Sequence, residues 1–165
     1  MTKLATAVLL AALCVFALGC STQGSAARGA RTYRMGERVQ AGPLIYTILD
    51  AEWLDQIGEP PNPRMPSNRF LVVRLSVTNS GVVASGVPPL AVIDTGGEAH
   101  EELNDAGGVS EWLGYLRSVK PADTLTGRVV FDVPAATYQL KVSNDAEPES
   151  AVTALVDIPL DLTRR

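Results

Sequence analysis

Two stretches limit the folds open to this chain. In residues 69–78, Leu71, Val73, Leu75 and Val77 alternate with Val72, Arg74, Ser76 and Thr78. In Thr124–Val133, Leu125, Gly127, Val129, Phe131 and Val133 fall on one side. A period of two sends successive side chains to opposite faces of a strand, whereas a helix needs an apolar repeat near 3.6. Both stretches read as half-buried strands. Residues 38–40 begin another strand, broken by Ala41-Gly42-Pro43, and residues 44–53 form a long β-rich run. Residues 56–68 hold prolines at 60, 61, 63 and 66, which cannot donate ladder hydrogen bonds, so this segment is a loop. Asn79-Ser80-Gly81 and Asp94-Thr95-Gly96-Gly97 are turn chemistry. A strand over 87–93 is interrupted by Pro88-Pro89, and Tyr138, Leu140 and Val142 alternate after Pro134-Ala135-Ala136. Residues 151–159 close the pattern. One segment, SEWLGYL at 110–116, is expected to form a short helical turn. Short strands separated by turns indicate an all-β antiparallel sandwich or barrel.

The two cysteines, Cys14 and Cys20, both lie near the N-terminus. No disulfide framework and no thiolate metal cluster follows from them. Stability must come from the core, and a composition of 46% hydrophobic and 19% charged residues suits a globular domain. Residues 33–160 are enough to bury one core.

Residues 1–20 read MTKLATAVLLAALCVFALGC. Lys3 supplies a positive start and residues 4–18 an apolar run too short for a membrane span. Ala17-Leu18-Gly19-Cys20 resembles the lipobox of bacterial lipoproteins, with Ala17 where Leu is usual. That resemblance implies a signal peptide over 1–19 and an acylated Cys20 as the first mature residue. One acyl chain binds membranes marginally, whereas two or three anchor stably. The alternative is an ordinary signal peptide with an incidental cysteine. Residues 20–32, rich in Ser, Gly, Ala and Arg, read as the lipidated cysteine and a flexible tether, with the folded domain over 33–165. The expected location is extracytoplasmic, lipid-anchored to the cell membrane or the outer membrane. Ser21, where Asp would favour retention, favours the outer membrane in a two-membrane cell.

The formal net charge is −4, and removal of Lys3 with the leader leaves 13 basic against 18 acidic residues. The arginines are scattered, so nothing forms the basic face that nucleic-acid binding needs.

Three stretches together carry a family resemblance: GERV at 36–39 through Tyr46 to Trp53; NRFLVVRLSVTN at 68–79; and Lys120-Pro121 through GRVVFDVP at 127–134 to Tyr138-Gln139-Leu140. They resemble a bacterial extracellular family of domains of unknown function with a telokin-like, immunoglobulin-type β-sandwich. That family is often carried on lipoproteins and is similar in fold to a secreted immunoprotective antigen. The resemblance implies the fold and the compartment and brings no catalytic residues. The chain lacks the cysteine pair that joins the sheets of antibody domains. Tyr138, opening a strand after a turn, forms either a tyrosine corner or a plain core contact.

Chemical motifs are sparse. His100 is the only histidine, in a polar stretch, and reads as solvated. No HExxH, P-loop or GxSxG pattern occurs, and no cofactor is expected. Asp94, Glu98, Glu101, Glu102 and Asp105 form an acidic cluster that reads as a solvated loop, with calcium the sharper alternative. Trp112, Tyr115, Arg117, Arg64 and Trp53 are the residue types of a binding patch. For Trp112 and Tyr115 the competing reading is a plug at one end of the sandwich. The function expected is a non-catalytic binding module, with an envelope protein or other extracellular partner and the membrane through its anchor. The alternatives are a structural envelope protein and, further off, a hydrolase using a carboxylate pair of the acidic loop.

Overall fold

The computed structural model describes residues 31–144 and 150–162. Cys20 and the stretches expected to be a signal peptide and, up to residue 30, a tether lie outside them. The strands in chain order are β1 (Arg31–Arg34), β2 (Arg38–Ala41), β3 (Leu44–Leu54), β4 (Arg69–Asn79), β5 (Ser85–Val87), β6 (Ala91–Ile93), β7 (Ala99–Glu101), β8 (Arg117–Val119), β9 (Thr124–Val133), β10 (Tyr138–Ser143) and β11 (Thr153–Ile158). One sheet runs β1-β11-β10-β6-β7, the other β2-β3-β4-β9, and β5 pairs with β8 as a ribbon. All pairings are antiparallel except β1 with β11, which is parallel. The first strand starts at Arg31, two residues before the boundary read from the sequence.

The alternation in β4 and β9 resolves as expected. Leu71, Val73, Leu75, Val77, Val129 and Phe131 are fully buried and face Leu140, Val142, Val156 and Ile158 of the other sheet within one core. β3 keeps this alternation only by slipping. Leu44, Tyr46 and Ile48 point inward, a bulge inserts Leu49, and the inward phase resumes at Ala51. A bulge adds one unpaired residue and so shifts the parity of the strand, which leaves Leu49 exposed.

Two buried tyrosines bring their hydroxyls to partners. Tyr46 donates to the Ser143 carbonyl across the core at 2.7 Å. Tyr138 donates to the Pro134 carbonyl at 2.8 Å, which is the corner and not merely a core contact. Its ring carries Trp53 on one side at 6.3 Å and His100 edge-on at 6.1 Å.

The second sheet is covered on its outer side as well, which the strand pattern alone did not suggest. Phe70, Val72 and Val130 point outward and are buried with Ile57 and Ala106 beneath Leu54, Leu103, Val109 and Trp112. The cover is the long connection between β7 and β8. It is not helical at 110–116, contrary to expectation, and the described residues contain no helix. It makes two turn bonds of its own, Val109 to the Ala106 carbonyl and Trp112 to the Val109 carbonyl, and from Leu103 on its other backbone–backbone bonds run to β9. Leu103 donates to the Val130 carbonyl, Leu113 to Arg128, and Arg128 back to Glu111, so the segment seals the free edge of β9. Positive φ at Gly108, Glu111 and Gly114 breaks any helical run. Two glycines make the close approach possible. A Cβ at Gly127 would stand 2.4 Å from the Glu111 carbonyl oxygen, and one at Gly108 2.5 Å from Gly58 Cα in the proline loop.

We expect Tyr138→Phe to lower stability by about 1 kcal/mol or more, the scale of a lost buried hydrogen bond. An unchanged midpoint in urea denaturation would count against the corner.

Candidate functional site

The connection that covers the outer face is fastened by one ion pair. Glu102, just after β7, is 4% exposed, and with Asn79 it is one of the two buried polar residues described. Its Oε1 accepts the Leu90 backbone N–H at 2.8 Å, and its carboxylate meets the Arg117 guanidinium through both nitrogens. Arg117 also donates to the Gly114 carbonyl at 2.6 Å. Asn79 does parallel work at the other end of the ribbon. Its amide donates to the Val83 and Val119 carbonyls, and its Oδ1 accepts the Gly81 N–H.

These clamps leave an open cleft of about 420 Å³ beside the β5–β8 ribbon. Pro88 and Pro89 line one wall, Tyr115 and Leu116 the other, with Val87 and Arg117 between. Leu116 is 91% exposed. Pro88 and Pro89 offer no N–H, so the chain leaving β5 presents a rigid apolar rim.

The five residues singled out from the sequence do not form one patch. Tyr115 and Arg117 share the cleft, but the Arg117 side chain is only 3% exposed and its charge is spent on Glu102. Trp112 packs on the outer-face cluster, and Arg64, whose backbone pairs with Ile57, donates to the Asp105 carbonyl at 2.6 Å. Both hold the proline loop and the covering segment together. Trp53 stands apart beside Tyr138, its indole N–H donating to the Leu160 carbonyl at 3.2 Å. Leu116, Pro88 and Pro89 complete the cleft, and sequence reasoning missed them. No local signal separated Leu116 from Leu113 of the same segment, which packs against the core.

The acidic stretch also divides. Glu102 is interior, which corrects the view of it as a solvating charge and removes it from any carboxylate pair with exposed Glu101. Asp94, Glu98 and His100 gather at the β6–β7 turn, with His100 Nε2 3.5 Å from Asp94 Oδ2. The Glu98 backbone N–H holds the Asp94 carboxyl below its ordinary value, helped by His100 and the Gly96 N–H against desolvation. Burial pushes the Tyr138 hydroxyl up, and the Asp94 charge adds to it. His100 is thus half-buried between Asp94 and Tyr138, not freely solvated.

A family model described as a domain of unknown function (DUF4352) matches residues 33–152. No curated protein matches the sequence. Among solved structures, the chain is similar to the yjhA protein of Bacillus subtilis, with TM-score 0.60 and 12% identity over 76% of this chain and 98% of that one. A functionally unknown protein of Listeria monocytogenes gives TM-score 0.56 and 11% identity over 76% and 82%. A "putative lipoprotein (ycdA)" of Bacillus subtilis gives TM-score 0.55 and 16% identity, with 73% of this chain spanning 38% of that one. At these identities the likeness is one of fold.

Removing one partner of a buried ion pair leaves the other charge uncompensated, at about 3–5 kcal/mol. We expect Glu102→Gln and Arg117→Met each to lose stability on that scale. The double variant should lose less than either, because the introduced glutamine would still accept the Leu90 N–H and no charge would be left buried alone. Equal or additive losses in urea denaturation would contradict the clamp.

Proposed function

The chain belongs to the DUF4352 family of domains of unknown function, and from that premise we propose that it is a non-catalytic binding module held outside the cytoplasm by acyl chains on Cys20. The observation that supports binding is Leu116. A leucine 91% exposed at the lip of a cleft, beside Tyr115 and two prolines, leaves apolar area in water that a partner would cover. Aromatic and apolar anchors of this kind dominate interface energies. The cleft is held open from behind by a buried ion pair, so the partner meets a preformed surface and little ordering cost is added on binding. The partner of this reading is another envelope protein, met within reach of the tether.

The anchor rests on the sequence up to Cys20 and agrees with the lipoprotein description of one structural neighbour. A thioether-linked diacylglyceryl group with a further acyl chain would hold the domain stably, with residues 21–30 as spacing.

Two experiments test the two halves separately. In cells making the chain, Cys20→Ser should abolish lipid labelling and move the protein from the membrane fraction to the soluble one; unchanged fractionation would sink the anchor. For binding, the tagged chain is cross-linked in intact envelopes. A saturable adduct should be lost in Leu116→Asp and retained in Arg64→Ala, which lies in the proline loop away from the cleft. An adduct indifferent to Leu116→Asp would move the binding surface elsewhere.

A further inference from the structure

The β6–β7 turn brings together three side chains of different chemistry. Strand pairing sets Ile93 opposite Ala99 and Val92 opposite His100, so Asp94, Glu98 and His100 meet at the turn end of the hairpin. One donor atom from each lies within 4.8 Å of the others. We propose that they form a site for a single divalent transition ion of the zinc class.

The geometry around Asp94 favours this. Its Oδ1 is saturated by the backbone N–H groups of Gly96 and Glu98, at 2.8 and 2.9 Å. That fixes the carboxylate and aims Oδ2 toward His100. The Oδ2–Nε2 separation of 3.5 Å is too long for a good hydrogen bond. It is close to the spacing a bound ion imposes. A tetrahedral zinc about 2.0–2.2 Å from a histidine nitrogen and a carboxylate oxygen holds those donors about 3.4 Å apart. The imidazole is held as well, packed edge-on against Tyr138, whose hydroxyl is tied to Pro134. Glu98 is exposed on the turn and free to swing in as the third ligand. Water would fill the fourth position.

The donor set decides the class of metal. Calcium takes six to eight oxygens, and a site with two carboxylates and an imidazole supplies too few and one of the wrong kind. Imidazole with carboxylate suits zinc and its first-row neighbours. The Asp94 and His100 side chains are 29% and 27% exposed, so an ion reaches them from solvent without opening the core.

The test uses the full chain in detergent micelles, with Cys14→Ser and Cys20→Ser so that thiolates do not compete, stripped with chelator. Zinc chloride titrated by calorimetry should bind at one ion per chain. His100→Gln and Glu98→Gln should each weaken binding at least tenfold while keeping the thermal midpoint of the metal-free protein. Cobalt should give a tetrahedral visible spectrum that His100→Gln abolishes, and zinc should shift the one histidine imidazole signal in NMR. Absence of zinc binding, or binding unaffected by His100→Gln, would overturn the site. Calcium binding as tightly as zinc would overturn the assignment of metal class.

Discussion

The contact between Glu102 and Arg117 governs more of this molecule than its size suggests. It closes the ends of the β7–β8 connection on each other and ties both to the backbone of Leu90 before β6. The segment between them then has to arch over the outer face of the second sheet. There it buries Phe70, Val72 and Val130 and pairs with the open edge of β9. The same closure places Tyr115 and Leu116 at the lip of the cleft. Buried ion pairs add little net stability against an apolar replacement, but breaking one is costly. Here the pair works as a fastener that selects one path for a long connection.

Without disulfides, the sandwich is held by apolar packing and a few satisfied polar groups. The hydroxyls of Tyr46 and Tyr138 and the amide of Asn79 all find backbone carbonyls. Each ties an element to one far away or fixes a corner, so buried polarity acts at joints while the faces are filled by Val, Leu, Ile and Phe. The second sheet gains a further apolar layer from its loop cover, which makes it a middle layer over some of its length.

The strands were legible because period-two alternation responds directly to having one buried face, and β4 and β9 show it residue by residue. The place of Tyr138 after a proline turn left a corner and a core contact open, and its bond to the Pro134 carbonyl makes it the corner. Three things were hidden. The bulge at Leu49 changes the parity of β3 without any glycine or proline to mark it. The 110–116 segment has helical-looking apolar spacing, but the Glu111 carbonyl and the Leu113 N–H pair with Arg128 of β9 instead. Arg117 and Glu102 looked like surface charges, since pairing across 15 residues leaves no local pattern. The site residues were therefore read as one patch, whereas the cleft takes two of them and adds Leu116 and the two prolines.

The parallel pairing of β1 with β11 has a mechanical side. Any tension arriving along the chain from before residue 31 enters the domain through β1, four residues laddered to Ala154–Asp157. Drawn along the strand axis, these bonds are sheared together and share the strain. Drawn across it, they break in succession. Beyond β1 the chain turns at Gly36, whose N–H is bonded to Ile48 of the other sheet. A tug that stripped β1 would thus stop where the second sheet begins, leaving β2, β3, β4 and β9 in register. The edge of β11 would then be bare, and the domain would sit farther from whatever holds its end by the length of that one short strand.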